Sequence, residues 1–365
     1  MKRVLNYSFL LITIIISILN FSCKKDTITG PDLSNLEPGR RDYLWSVDTL
    51  KMPMNSLNSI WGSSPEDVWA VGAGGDFNDR LQHFDGSRWT AYNKEMIICA
   101  GNTLFGFSKN DVWMGGQDGE IWHYDGVKWD RNYRYEVDGT MLVNVKNIWG
   151  SGPNDIYACG VLFYKASAFE PDSHKGFILH YDGNNWTEIC KGDFNSQFSS
   201  IRKEKDKVYV FSLSIDQFSN VNDTFTFYEL GGSKLKPIYS NTCGQANWGH
   251  FELFGKDLLF WINKDVLSLV DSKINGNGTF IKLFTIDNPN FNYYISGRNA
   301  KDVFISATDG LAHYNGDDTQ YLLHYPETQT LSSGLLLFEK DVFCAFYDYS
   351  TNTNMILHGK FTELH

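Results

Sequence analysis

The sequence is poor in proline and in positive charge. Its 365 residues include 9 Pro against 32 Gly, and the glycines are scattered, which excludes a collagen-like chain and a low-complexity linker. Lys and Arg number 32 against 43 Asp and Glu, for a formal charge of −11. Proteins that bind nucleic acid need clustered cations to neutralise phosphates. We therefore expect no nucleic-acid partner.

Cysteine is also scarce, and none of the six cysteines forms a Cys-x-x-Cys pair. This pattern gives little support to a metal site or to redox chemistry. The sequence also lacks a Ser nucleophile elbow, a phosphate-binding Gly loop and a His-Glu-x-x-His helix. We assign no catalytic residue, no metal ligand and no cofactor, and we favour a protein that is not an enzyme.

Aromatic residues, in contrast, are abundant. They make up 15% of the chain, and apolar residues make up 42%. Such a chain can bury far more surface than a disordered one. Aromatic side chains also favour strands, so the composition predicts β-structure.

The first 22 residues have the pattern of an export signal. Lys2 lies in a basic N-terminal region, and the apolar run Phe9–Leu19 that follows is too short to span a bilayer. A serine and then Cys23 follow, which resembles the lipobox of bacterial lipoproteins, in particular those of Bacteroidetes. The resemblance implies that Cys23 is lipidated and that the protein is an outer-membrane lipoprotein, with exposure at the cell surface as one option. The alternative is an ordinary secretory signal.

These features divide the chain into three segments. We predict a signal peptide over residues 1–22, the lipidated Cys23 with a flexible tether over 23–43, and one folded domain over 44–365. The tether is polar and contains paired Gly and Pro residues. Because the protein is acidic, acyl chains alone would hold it to a membrane.

Internal repetition dominates the folded segment. The sequence WGSSPEDVWAVG at Trp61–Gly72 recurs near Phe105 and Trp149, and HFDGSRW at His83–Trp89 recurs near His123 and His180. Fainter copies continue to the end of the chain. Units begin, at intervals of 41 to 53 residues, near Ser59, Thr103, Asn147, Ser200, Phe251, Tyr294 and Leu335.

Each unit divides into four short strands, with an Asp-Gly hairpin signal between the third and the fourth. Such units, without helical patterns between them, predict an all-β fold, a single β-propeller of four-stranded antiparallel blades. We predict seven blades, with six or eight as alternatives. Either Tyr43–Leu50 or Phe361–His365 would supply the outermost strand of the last blade.

The WGSSPxDVWAVG and HYDGxxW elements together resemble a family of secreted bacterial β-propellers built from this repeat. The resemblance covers nearly the whole chain after the signal peptide and implies the propeller fold. A fold of this kind supports many functions, so the resemblance implies no particular activity.

The repeated polar residues are expected to build the blades. Five histidines share one repeat position, and a ring of blades would keep them too far apart to bind one metal ion. We predict that each bonds to the carboxylate of an Asp–aliphatic–aromatic step in its own blade, and that these aspartates cap turns. The histidines are His83, His123, His180, His313 and His358. The repeated tryptophans are expected to be buried between blades.

Longer loops of variable length are expected on one face of the propeller, where binding usually takes place. The non-repeating polar and aromatic residues there are the candidate ligand contacts: Asp79, Arg80, Asp118, Tyr133, Arg134, Tyr135, Tyr164 and Tyr347.

We predict a monomeric, surface-anchored binding or scaffold module that recognises a glycan or a protein. The alternative is a carbohydrate-active enzyme of the glycosidase, lyase or glycosyl-transferase type. Two carboxylates, or a carboxylate and a histidine, at the channel mouth would favour the enzyme.

Overall fold

The computed structural model describes residues 35–50, 52, 55–95, 97, 99–165, 173–214, 224–242, 249–254, 257–262, 265–271, 279–325 and 330–362. The predicted signal peptide and Cys23 lie outside these residues. The described chain consists of strands, with one short 3₁₀ turn at Phe77–Asp79. No helix within the described ranges has the length and hydropathy needed to cross a membrane.

Within the described residues, 28 strands form seven antiparallel sheets of four strands each. The first strand, β1 (Tyr43–Leu50), belongs to the last sheet. Blades 1 to 3 contain β2 (Asn55–Ser64), β3 (Asp67–Gly74), β4 (Leu81–Phe84) and β5 (Trp89–Ala91); β6 (Gly101–Ser108), β7 (Asp111–Gly116), β8 (Glu120–Tyr124) and β9 (Trp129–Arg134); and β10 (Thr140–Gly152), β11 (Asp155–Tyr164), β12 (Ser173–Tyr181) and β13 (Trp186–Phe194).

The other four blades follow in chain order. They contain β14 (Ser196–Glu204), β15 (Lys207–Ser214), β16 (Thr224–Gly231) and β17 (Lys234–Thr242); β18 (Gly249–Phe254), β19 (Asp257–Ile262), β20 (Asp265–Asp271) and β21 (Thr279–Thr285); β22 (Phe291–Asn299), β23 (Asp302–Ala307), β24 (Gly310–Tyr314) and β25 (Thr319–His324); and β26 (Thr330–Leu337), β27 (Asp341–Asp348) and β28 (Thr353–Phe361), which β1 completes.

The sheets close into a ring. The first strand of every blade contacts the first strand of the next, and β26 contacts β2. These strands therefore border a central channel, and the prediction of a seven-bladed β-propeller is confirmed. Of the two candidates for the closing strand, Tyr43–Leu50 is the one used: it pairs with β28 from Tyr43↔Phe361 to Leu50↔Asn354. This pairing covers an edge that would otherwise be open.

Neighbouring blades are joined by a repeated hydrogen bond at the innermost strands. The pairing of the first strand with the second is interrupted by a bulge at Asn58, Asn102 and Lys146 in blades 1 to 3. The polar residue after each bulge accepts a hydrogen bond from a backbone N–H of the next blade. The pairs are Ser59 with Leu104 (3.0 Å), Thr103 with Ile148 (3.4 Å) and Asn147 with Ile201 (3.1 Å).

The prediction for the five histidines is confirmed. Each Nε2 lies within hydrogen-bond distance of an Asp Oδ1 in its own blade, at 2.7 Å for His83–Asp67 and 2.9 Å for His123–Asp111. The pairs in blades 3, 6 and 7 repeat this geometry at 2.9, 2.7 and 2.7 Å. Each imidazole also contacts the ring of the Asp–aliphatic–aromatic step. These aspartates bind side chains, whereas the sequence predicted bonds to turn backbone.

The Asp-Gly turns are made by backbone capping. Oδ1 of Asp125 accepts hydrogen bonds from the N–H groups of Val127 (2.8 Å) and Lys128 (2.9 Å). Gly126 between them has a φ of 92°, which few residues other than glycine adopt readily. Asp85 and Asp182 make the same pair of bonds in their blades. The turns therefore follow from the local sequence.

Four of the repeated tryptophans are buried as predicted. Trp69, Trp113, Trp129 and Trp186 expose between 1% and 7% of their surface. Trp61, Trp89 and Trp149 are only half-buried, so the prediction is too strong for these three. The buried set contributes to clusters that join adjacent blades, as Trp113 does with Trp186.

The end of the predicted tether lies on the propeller. Leu36 packs against the core cluster that blades 5 and 6 share, and the Gly39 N–H donates to the Lys301 carbonyl at 2.8 Å. Arg41 donates to the carbonyls of His313 (3.1 Å) and Asp318 (2.7 Å). Residues 36–42 therefore act as an anchored strap on blade 6, and the part of the tether before residue 35 lies outside the described residues.

Candidate functional site

The antiparallel order of each blade separates its loops into two sets. Loops between first and second strands, and between third and fourth strands, lie on one face, which we call the turn face. Loops between second and third strands, and those joining blades, lie on the other, which we call the loop face. The turn face carries the short repeated turns, whereas the loop face carries connections of different lengths, among them 75–80, 135–139 and 349–352. All eight candidate ligand contacts lie on strands or loops that reach the loop face.

Asp79 and Arg80 shape the loop between β3 and β4. Asp79 ends the 3₁₀ turn, which the Asp76 carboxylate caps at the N–H of Asn78. The Arg80 Nε donates to the Gly74 carbonyl at 2.8 Å. Asp118, in the next blade, has a φ of 58° in the tight turn that follows β7. All three residues therefore lie in turns of the loop face, and the Arg80 side chain is bonded to the backbone of its own loop.

Three of the candidate tyrosines come together between blades 2 and 3. Tyr133, Tyr135 and Tyr164 belong to one apolar cluster with Trp186. Tyr135 is 5% exposed, and its hydroxyl donates a hydrogen bond to Glu188. Burial, and then this bond, raise the pKa of Tyr135. Tyr135 therefore stabilises the contact between the blades rather than presenting its hydroxyl to a ligand.

The remaining two candidates are separate from this cluster. Arg134 is exposed and forms an ion pair with Glu136 at 3.0 Å. Tyr347, in blade 7, donates its hydroxyl to Asn352, and its ring contacts Tyr349 at 5.3 Å between centroids. The structure thus gathers the tyrosines of blades 2 and 3 but leaves the other candidates in their own blades.

Large apolar side chains are exposed on the loop face in three blades. Phe77 is 40% exposed in blade 1, Met141 is 63% exposed at the start of β10, and Tyr349 is 59% exposed after β27. Met141 was not a sequence candidate, because a lone methionine before a strand has no distinguishing pattern. Methionine and aromatic side chains are enriched at surfaces where proteins bind one another.

Lys146 is a second residue that the sequence patterns missed. It occupies the bulge of β10, beside the channel, where blades 1 and 2 have Asn58 and Asn102. Among the described residues it has no ion-pair or hydrogen-bond partner for its ammonium. Burial lowers the pKa of Lys146. Its departure from the asparagine of the preceding repeats is the signal that would have identified it.

A carboxylate and a histidine do meet on the loop face, in blade 6. Asp309 is 7% exposed and accepts hydrogen bonds from Tyr321 (2.7 Å) and Asn290 (2.6 Å). Its Oδ2 also lies 3.3 Å from His324 Nε2. These three contacts connect the Asp309 carboxylate to neighbouring segments of blade 6. Within the described part of the chain, no group of three His, Cys, Asp or Glu residues is arranged to hold a metal ion.

Four of the cysteines are described, and all are buried and unbridged. Cys159 and Cys344 are fully buried, as small apolar residues would be. Burial raises the pKa of the Cys99 thiol to about 12, with nearby Glu120 and Asp118 adding to the effect. A thiol of this kind stays protonated and is a poor nucleophile.

The chain is similar to several solved propellers. One is YCF48 bound to D1 peptide, at 14% identity and a TM-score of 0.56, covering 90% of this chain and 100% of that one. Another is a catalytically inactive virginiamycin B lyase from Staphylococcus aureus with quinupristin, at 13% identity and a TM-score of 0.61, covering 87% and 99%. A third is the Cps50 (Swd1) propeller domain of Myceliophteria thermophila, at 8% identity and a TM-score of 0.52, covering 85% and 99%. At these identities the likeness shows the fold alone. No family model and no curated protein matches the chain.

Proposed function

We propose that this protein is a non-catalytic binding or scaffold module that holds a peptide segment of a partner protein on its loop face. The observation that carries the proposal is the exposure of Phe77, Met141 and Tyr349 on that face. The repeated polar residues, by contrast, are engaged within the blades. A rigid ring that presents apolar side chains from separate loops is suited to binding an extended chain.

A protein ligand is favoured over a glycan by the kind of side chain exposed. Methionine and aromatic residues are enriched where proteins bind one another. One of the similar structures, YCF48, is bound to a peptide. Both points support a peptide ligand, and the glycan becomes an outcome of the test.

The test is a binding screen of the purified protein against peptide and glycan arrays. We expect retained peptides, and at least a tenfold loss of affinity when Phe77, Met141 and Tyr349 are all changed to Ser. Val127→Ser is the matched control, because Val127 is 74% exposed but lies on the turn face. Selective retention of glycans would refute the peptide ligand. Turnover of an oligosaccharide, abolished by changing one acidic residue near the channel, would refute the non-catalytic role.

The position of the strap suggests how the module is displayed. Residues 36–42 contact Lys301, His313 and Asp318, which lie on the turn face of blade 6. The chain therefore reaches the propeller on the face opposite the loops. We also propose, from the resemblance to bacterial lipoproteins, that Cys23 is lipidated.

A further inference from the structure

We propose that Lys146 is the anchor for a carboxylate of the bound peptide, inside the channel entrance on the loop face. The inference rests on the proposed peptide-binding function and adds the chemistry that the ligand must carry. It starts from the unusual state of one side chain on an innermost strand.

The position of Lys146 is defined by its equivalents in the preceding blades. Asn58 Nδ2 donates to the Gly101 carbonyl of the next blade at 2.9 Å, and Asn102 Nδ2 donates to the Val145 carbonyl at 3.0 Å. Side chains at this bulge therefore extend along the inner wall toward the neighbouring strand. Lys146 occupies the same position at the junction of blades 3 and 4, facing β14.

The ammonium of Lys146 lacks the partner that burial normally requires. Its pKa is lowered by desolvation, and no described carboxylate lies close enough to oppose that effect. The side chains described beside it on the inner strands supply no counter-ion: Asn102 donates to Asn144, Ser199 on β14 is exposed, and the Arg202 guanidinium of β14 donates to Asn147 at 2.7 Å. A partly buried cation without a counter-ion destabilises the folded state, so an external anion is the group that would complete the site.

A peptide carboxylate fits this environment. The ammonium has three N–H donors and would supply charge-assisted hydrogen bonds to the carboxylate oxygens. Two sources have the same chemistry, an acidic side chain and the C-terminal carboxylate of the peptide. The apolar groups at the rim, Phe77, Met141 and Tyr349, would hold the remainder of the segment.

The first experiment passes a library of random synthetic octapeptides, made with free and with amidated C-termini, over the full-length protein. We expect peptides with a free carboxylate to be enriched at least tenfold over amidated neutral peptides. If the retained peptides are instead enriched in Asp and Glu, the bound carboxylate comes from a side chain and not from the C-terminus. Lys146→Gln should remove this preference, Lys146→Arg should retain part of it, and Lys165→Gln, an exposed loop-face control, should leave it unchanged. Retained peptides with no acidic preference, or an unaltered preference in Lys146→Gln, would overturn the assignment.

The second experiment needs no peptide. Labelling of lysines by an amine-selective reagent is followed by mass spectrometry in sodium acetate and in sodium chloride of equal ionic strength. We expect acetate to slow labelling of Lys146 at least threefold and to leave Lys165 unaffected. Protection without any retained peptide would uphold the anion site and refute the proposed function. Retained peptides without acetate protection and without an acidic preference would uphold the proposed function and refute the anion site. If no peptide is retained and acetate gives no protection, both proposals are refuted.

A stability measurement checks that Lys146 has no structural partner. Removing an uncompensated ammonium relieves its desolvation, so Lys146→Met should raise the melting temperature. A lower melting temperature would mean that the ammonium stabilises the fold, contrary to the assignment.

Discussion

At the scale of residues, the blades use ionisable groups as structural parts. His180 and Asp155 illustrate this, since the imidazole bonds Oδ1 at 2.9 Å while Lys203 contacts Oδ2 at 2.5 Å. Ser151 donates to the same carboxylate. The carboxylate therefore connects the second and third strands of blade 3 with the first strand of blade 4. Such a group stabilises the fold only while it is ionised.

This dependence predicts how stability changes in acid. Burial raises the pKa of Asp155, but hydrogen bonds from Lys203, Ser151 and His180 outweigh it and lower the value from 3.8 to about 2. Because the pKa of Asp155 is lower in the folded state than in the unfolded state, its ionised carboxylate stabilises the fold above the unfolded-state pKa of 3.8. This stabilisation is lost as the pH falls from 3.8 to about 2. We expect Asp155→Asn to be destabilised against wild type at pH 7, with the difference shrinking below pH 4. Denaturant unfolding at several pH values measures this.

The control for Asp155 is Asp206→Asn. Asp206 is an exposed carboxylate in the turn between β14 and β15, with no hydrogen bond to the described residues. Its substitution should leave the free energy of unfolding nearly unchanged at every pH. A pH-independent difference for Asp155→Asn would contradict the stabilising role of its charge.

Trp113 offers a second prediction at this scale. It is 3% exposed, donates from Nε1 to Asp111 at 2.8 Å and contacts Trp186 of the next blade at 5.8 Å between centroids. Trp113→Ala would leave a cavity between two blades and should lower the free energy of unfolding by about 3–5 kcal/mol. Urea unfolding followed by circular dichroism measures the change. A loss below about 1 kcal/mol would mean that the blades repack around the missing ring.

At the scale of elements, the closing strand is the critical contact. β1 precedes blade 1 in the chain, and its pairing with β28 supplies the fourth strand of blade 7 and so ties the two ends of the ring together. Gly359 lies opposite Trp45 in this pair. A Cβ atom at position 359 would lie 2.7 Å from the Trp45 ring, so the indole packs directly on the glycine.

This contact can be tested by a double-mutant cycle. Gly359→Ala should lower the free energy of unfolding by about 1–3 kcal/mol, as overpacking does. In a Trp45→Ala background the same change should cost much less, because the ring that it meets is gone. Gly231→Ala is the control, since no atom lies within 4 Å of a Cβ added there. Additive effects of the two changes would mean that the Trp45 ring does not pack on Gly359.

At the scale of the whole molecule, the two faces have different tasks. The turn face carries the repeated Asp-Gly turns and the strap, whereas the loop face carries Phe77, Met141 and Tyr349. The strap and the proposed binding surface are therefore on opposite sides of the ring.

The proposed lipidation of Cys23 can be tested in the native host. Cys23→Ala should move the protein from the membrane fraction to the soluble fraction, because the −11 charge gives no electrostatic attraction to anionic lipid. Cys190→Ala, which alters a buried thiol of the propeller, is the control and should stay in the membrane fraction. Retention of the Cys23 variant in the membrane fraction would refute lipidation at this residue.

The sequence by itself determined the repeating parts of this protein. The Asp-Gly turns, the strand alternation and the histidine–aspartate pairs each depend on residues within one unit, so a pattern repeated in the chain predicts them. Only the tertiary structure decided between Tyr43–Leu50 and Phe361–His365 as the closing strand, because both lie at chain ends with suitable patterns. It also placed Tyr135 in the core and left Lys146 without a described counter-ion. Those outcomes depend on neighbouring blades, whose side chains meet only after the ring has formed.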